Sequence, residues 1–120
     1  MNIKPHVLIV EDDSDISDML FTYLVREGYG VRVVTNHADA LEALRFPHRF
    51  ILLDYNLPQS DPLSFVLTVQ LNFPDSIIVL MTASTSIKTH AAELGLKHWI
   101  GKPFDPDVLL ELLQRLDAGH

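Results

Sequence analysis

Short apolar runs alternate with longer amphipathic stretches along the whole chain. Residues 7–10 are wholly apolar and mostly β-branched, as expected for a strand covered on both faces of a parallel sheet. Ile16, Met19, Leu20, Tyr23 and Leu24 then recur at helical spacing, with Ser14 or Asp13 as cap, Gly28 as terminator and Gly30 marking the turn. Residues 31–34 alternate apolar and basic side chains and predict an edge strand. Asn36 opens a second helix carrying Ala40, Leu41 and Leu44, which Pro47 stops. Residues 50–53 predict a buried strand, and a loop over residues 55–60 follows Asp54. Asp61 as N-cap and Pro62 at the first helical position start a third helix, which Asn72 and Pro74 end. Residues 77–81 predict a strand, and residues 85–94 a weaker helix closed by Gly95. Residues 98–101 predict a last short strand. Asp105-Pro106 starts a final helix that ends near Asp117 and is expected to bury Val108, Leu109, Leu112, Leu113 and Leu116.

Alternation of this kind predicts an α/β fold: one doubly wound, five-stranded parallel sheet flanked by five helices. No repeat, linker or composition shift divides residues 1–120, so a single domain is expected. The chain is 48% hydrophobic, ample for a packed core. A net charge of −7 argues against direct nucleic-acid binding by this segment. The absence of cysteine excludes disulfides, thiolate nucleophiles and cysteine metal sites, and fits a reducing cytoplasm. Met1-Asn2-Ile3-Lys4-Pro5 does not read as a signal peptide, and no run approaches the roughly 18 apolar residues of a membrane span. Ala118-Gly119-His120 reads as a terminus or as the start of a linker.

The candidate chemistry sits where the strands end. Glu11-Asp12-Asp13, Asp54, Thr82 and Lys102 each follow or close a different apolar run. In open α/β sheets the ligand crevice lies beyond the carboxyl ends of the strands. Three carboxylates, a hydroxyl and an ammonium would then share one cleft. That set suits Mg²⁺ beside an aspartate that accepts a phosphoryl group. Each signal has a plainer reading. The acidic triplet can serve a helix N-terminus, Thr82 can be an ordinary strand-end residue, and Lys102 can be a surface lysine before a turn. Asp13 can be the cap and not a ligand. Asn56 lies where its backbone carbonyl can join a metal shell, and Lys102 can pair with Asp54 as a point charge. Pro103 makes Lys102–Pro103 the cis-peptide candidate. The six histidines, His6, His37, His48, His90, His98 and His120, show no metal-ligand spacing and read as structural or surface residues.

Taken together, Val7-Leu8-Ile9-Val10-Glu11-Asp12-Asp13, Leu52-Leu53-Asp54-Tyr55-Asn56-Leu57-Pro58, Val79-Leu80-Met81-Thr82-Ala83 and Gly101-Lys102-Pro103-Phe104 resemble the receiver domains of two-component response regulators. The resemblance covers nearly the whole chain. It implies a flavodoxin-like sheet in the order 2-1-3-4-5. It implies that Asp54 takes a phosphoryl group from a histidine kinase or phosphotransfer protein. Glu11, Asp12, Asp54 and the Asn56 carbonyl would hold Mg²⁺, and Thr82 and Lys102 would bind phosphoryl oxygens. Thr82 and Trp99 would form the switch. Asn56 and Ser84 would tune hydrolysis of the acyl phosphate. The output would be a downstream effector domain or protein, controlled through the fourth helix, last strand and final helix, and the same region leaves room for a homodimer. Such a chain is not an enzyme beyond phosphorylating itself and slowly losing the group.

Three positions depart from the family. Pro62 replaces a usual Gly and stiffens the loop after Asp54, Leu96 replaces a usual small residue, and Trp99 is larger than the usual Tyr or Phe. The core site positions are all kept, so a competent receiver is expected. Two other readings compete with it. A phosphorylation-independent interaction module would keep the fold without the chemistry. A haloacid dehalogenase-type phosphatase would want a second Asp where Asn56 stands, and a longer chain with a cap.

Overall fold

The structure is a computed structural model that describes residues 5–58 and 60–118. Residues 1–4, Gln59 and Gly119-His120 lie outside the described residues, and with them the readings made above of the first residues and of His120. Ten elements alternate in chain order: β1 (His6–Val10), α1 (Ser14–Arg26), β2 (Gly30–Val34), α2 (His37–Ala43), β3 (Phe50–Asp54), α3 (Pro62–Asn72), β4 (Ile77–Thr82), α4 (Ile87–Glu93), β5 (His98–Gly101) and α5 (Pro106–Ala118). All strand pairs are parallel, and the sheet order is β2-β1-β3-β4-β5. This is the expected doubly wound, flavodoxin-like topology.

The pleat of the three central strands divides the core in two. Leu8, Val10, Ile51, Leu53, Ile78 and Leu80 point to one face, where Ala40, Ala43, Phe65, Val66, Val69 and Ala91 of α2, α3 and α4 cover them. Val7, Ile9, Phe50, Leu52, Val79 and Met81 point to the other, under Leu20 and Leu24 of α1 and Leu109 and Leu113 of α5. Side chains alternate across a strand, so the continuous apolar runs needed cover on both faces. The edge strand β2 instead exposes Arg32.

Local signals explain most element ends. Asp13 and not Ser14 caps α1, its carboxylate accepting from the Asp15 and Ile16 N–H groups at 2.9 and 3.2 Å. Asn36 and Asp61 cap α2 and α3 in the same way. Gly28 takes a positive φ of 97° at the end of α1, a conformation that favours glycine. Gly30 is the first residue of β2 and not the turn itself. A Cβ there would meet the His6 ring at 2.4 Å, so a larger residue would require that exposed ring to move. Val108 is 51% exposed, against the expectation that α5 buries it. The stripe of α5 that meets the sheet is centred on Leu109 and Leu113, which turns Val108 outward. α4 is shorter than expected, and Ser86 makes no side-chain cap bond.

Candidate functional site

The sheet order reverses at β1, so the crevice opens where β1 and β3 end side by side. Glu11 follows directly on β1, its N–H still bonded to the Val34 carbonyl at 3.0 Å, and its side chain is 1% exposed. Asp12 is exposed at the rim, and Asp54 closes β3 as a buried residue. One carboxylate oxygen from each of Glu11, Asp12 and Asp54 lies within 4.8 Å of the others. Asp13 is committed to α1. The acidic triplet therefore divides into two residues for the cleft and one for the helix.

Lys102 enters from the end of β5, after a cis Lys102–Pro103 peptide. Its ammonium contacts the Glu11 carboxylate and lies 3.3 Å from Asp54 Oδ1. The Asp54 partner was legible in the sequence. The Glu11 contact joins residues 91 apart, and no local signal announces it. Burial, countered in part by Lys102 and reinforced by Asp54, pushes the Glu11 carboxyl up to about 7. Burial acts to lower the Lys102 ammonium, but the Glu11 hydrogen bond and the Asp54 and Glu11 charges outweigh it and raise the value. The cleft holds more acid than base, with one of its acids desolvated. A compact oxygen donor set with such a surplus fits a divalent cation.

Thr82 ends β4 and is fully buried. Its Oγ1 accepts from Asn56 Nδ2 at 3.2 Å and from the Ser84 N–H at 3.1 Å. The Asn56 N–H in turn donates to Asp54 Oδ1 at 3.2 Å. The Lys102 N–H donates to the Thr82 carbonyl at 2.8 Å. Asp54, Asn56, Thr82, Ser84 and Lys102 are thus tied together in one small volume. Trp99 stands two register steps inside this edge, opposite Leu80, half-buried against the α2–α4 side of the core.

One neighbour of the cleft, His90, carried no site signal in the sequence. Ser84 Oγ accepts from the Ser86 N–H at 3.0 Å and lies 3.2 Å from His90 Nε2. The His90 ring also stacks on Tyr55, the residue after Asp54. Nothing in the α4 sequence marks His90 for this place, because the contact depends on how α4 lies over the loop after β3.

Fold and cleft define a flavodoxin-like α/β domain with an acidic, lysine-bearing crevice at the β1–β3 seam. Comparison with known proteins makes the class specific. The family described as the response regulator receiver domain matches residues 7–114. The chain is 35% identical over 117 residues to the transcriptional regulatory protein GltR of Pseudomonas aeruginosa, covering 93% of this chain and 47% of that protein. It is 32% identical over 115 residues to the DNA-binding transcriptional regulator NtrC of Proteus hauseri, covering 93% of this chain and 24% of that protein. The solved structure of the chemotaxis response regulator CheY4 of Vibrio cholerae superimposes with a TM-score of 0.84 at 29% identity, covering 95% of this chain and 98% of that one. The chain belongs to the response regulator receiver domains, a family of signalling domains rather than enzymes. It spans less than half the length of the GltR and NtrC relatives it matches. Among the described residues no helix is long and apolar enough to cross a membrane.

Proposed function

We propose that Asp54 is the phosphoacceptor of a two-component system, phosphorylated by a histidine kinase or phosphotransfer protein in a Mg²⁺-dependent reaction. One observation carries this reading: Glu11, Asp12 and Asp54 converge within 4.8 Å, with the Lys102 ammonium 3.3 Å from Asp54. An Asp54 carboxylate oxygen attacks phosphorus in line. The new P–O bond forms as the P–N bond of the donor phosphohistidine breaks, and the electron pair returns to the imidazole. The product is an acyl phosphate. Glu11, Asp12, Asp54 and the Asn56 carbonyl would hold Mg²⁺, which would supply neutralising charge for the acids and the incoming oxygens.

The protein groups around Asp54 suit the rest. Lys102 can pass from the carboxylates to a phosphoryl oxygen as a point charge. A hydroxyl has two acceptor sites and one donor. Asn56 and Ser84 already supply two donors to Thr82 Oγ1, which leaves its proton for a phosphoryl oxygen. Asn56, bonded to Asp54 Oδ1, and Ser84, bonded to Thr82, would govern access of hydrolytic water.

The phosphoryl group adds about −1.5 to −2 charges. Taking a two-state equilibrium from 1:99 to 99:1 needs about 5.5 kcal/mol. A charge-assisted hydrogen bond contributes about 1.5–3 kcal/mol, so Thr82 and Lys102 with the cation approach a full switch. Trp99 and the face of α4, β5 and α5 would carry it to a downstream effector domain or protein in the cytoplasm.

Incubation with acetyl phosphate and Mg²⁺, followed by intact mass measurement beside an Asp54→Asn control, tests the reading. A gain of one phosphoryl group, absent in the control and in EDTA, is expected. No gain by a folded, Mg²⁺-binding protein would instead favour the phosphorylation-independent module.

A further inference from the structure

We propose that His90 is a positioning residue for loss of the phosphoryl group: it locks the Ser84 hydroxyl as a hydrogen-bond donor and so lengthens the life of the acyl phosphate, an inference that rests on Asp54 as the phosphoacceptor. Ser84 belongs to the network around Asp54. Its N–H donates to Thr82 Oγ1 at 3.1 Å, Thr82 Oγ1 also accepts from Asn56 Nδ2 at 3.2 Å, and the Asn56 N–H donates to Asp54 Oδ1 at 3.2 Å. The Ser84 side chain is held from α4. Its Oγ accepts from the N–H of Ser86, the residue before that helix, at 3.0 Å and lies 3.2 Å from His90 Nε2.

The other ring nitrogen of His90 settles which way the bond to Ser84 runs. Nδ1 is buried and has no hydrogen-bond partner. A neutral imidazole carries one N–H. A proton on Nδ1 would strand a buried donor, and buried unpaired N–H groups are rarer in folded proteins than under-satisfied acceptors. The proton therefore sits on Nε2, which donates to Ser84 Oγ. A hydroxyl accepts twice and donates once. With the Ser86 N–H and the His90 Nε2–H both directed at it, Ser84 Oγ has no acceptor site left and keeps only its proton. The Tyr55 ring, stacked on His90 with centroids 4.2 Å apart, holds the imidazole to this aim.

Hydrolysis needs the opposite polarity. The water oxygen attacks phosphorus, the P–O bond to Asp54 breaks, and its electron pair returns to the carboxylate. The displaced water proton passes to a phosphoryl oxygen, and dihydrogen phosphate leaves. Attack is faster when a neighbouring oxygen accepts a hydrogen bond from the water, because that proton then loosens as the new bond forms. A saturated Ser84 Oγ can only donate to the water, which draws on the electron pair that must attack. His90 thus slows hydrolysis through Ser84.

The test follows the phosphoryl group by intact mass after phosphorylation with acetyl phosphate and Mg²⁺ and removal of the donor. His90→Phe keeps a ring against Tyr55 and removes the N–H. It should shorten the half-life by about fivefold, the factor that one hydrogen bond of ordinary strength corresponds to. His90→Gln, whose amide can donate in place of Nε2–H, should restore part of it. In a Ser84→Ala background His90→Phe should have no further effect, because the hydroxyl through which His90 acts is gone. A merely structural loss would persist there. Imidazole nitrogen chemical shifts of the unphosphorylated protein should show His90 protonated at Nε2 and bare at Nδ1. Equal decay of the unaltered protein and His90→Phe overturns the proposal and leaves Asp54 as acceptor. So does an acceleration that survives in Ser84→Ala, and so does a single proton found on Nδ1. A chain that takes up no phosphoryl group overturns both readings.

Discussion

The rings of Tyr55 and His90 lie stacked, with centroids 4.2 Å apart and planes 16° apart. Tyr55 follows Asp54 in the chain, and His90 sits on α4, so the pair pins that helix to the loop after Asp54. The stack contributes about 0.5–1.5 kcal/mol and the bond to Ser84 about 1 kcal/mol. His90→Ala is expected to reduce unfolding free energy by about 1–2 kcal/mol in urea titrations. His90→Phe should recover the stacking share and His90→Gln the hydrogen-bond share. Equal stability in all three variants would show that the pair does not anchor α4.

Glu11 gives the metal-free protein a pH dependence of definite sign. Its folded pKa of about 7 lies above the ordinary 4.5, so the folded state holds the proton longer than the unfolded chain. The contribution of Glu11 is full below about 4.5 and is lost as pH rises through 7. Melting in EDTA at pH 5 and pH 8 should therefore show a smaller drop for Glu11→Gln than for the unaltered protein. Excess Mg²⁺ should raise the melting temperature most at pH 8, because a ligand of the folded state stabilises it by mass action.

Burial lowers the pKa of His37, His48 and His98, which gives the opposite slope. The unfolded imidazoles take up protons at about 6.5 while the folded ones resist. Their contribution is present above that value and fades as pH falls below it. His48 is the most enclosed of the three, with its Nδ1 2.9 Å from the Phe46 carbonyl. Urea midpoints measured between pH 7 and pH 5.5 should fall less steeply for His48→Asn, and an unchanged slope would remove His48 as a source.

Asp12 and Asp13 are neighbours with separable roles. Loss of the α1 cap in Asp13→Ala should cost about 1–2 kcal/mol of stability while phosphorylation by acetyl phosphate persists. Asp12→Ala, at an exposed position, should change stability by less than about 0.5 kcal/mol and abolish Mg²⁺-dependent phosphorylation. Identical behaviour of the two variants would contradict this division.

The sequence was most legible where one residue carries its own signal. Asp61-Pro62 marks the start of α3, the apolar run over residues 50–53 marks a strand buried on both faces, and Glu11, Asp54, Thr82 and Lys102 each announce a strand end. Legibility failed where a contact depends on the pose of a whole element. Lys102 on Glu11, His90 under Tyr55 and the His6 ring beside Gly30 join segments distant in the chain. The outward turn of Val108 failed for a related reason: several apolar residues of α5 compete for one narrow buried stripe, and helical spacing alone does not rank them.

The Lys102 N–H bond to the Thr82 carbonyl couples the two residues at the backbone. In the proposed reaction their side chains grip the same phosphoryl group from neighbouring strands. A shift of either main chain toward the ligand draws the other with it, and the pairing of Leu80 with Trp99 extends the linkage along β5. The two grips would then close together rather than in sequence, so that half-engaged states are sparsely populated. The sheet edge itself would set the sharpness of the switch.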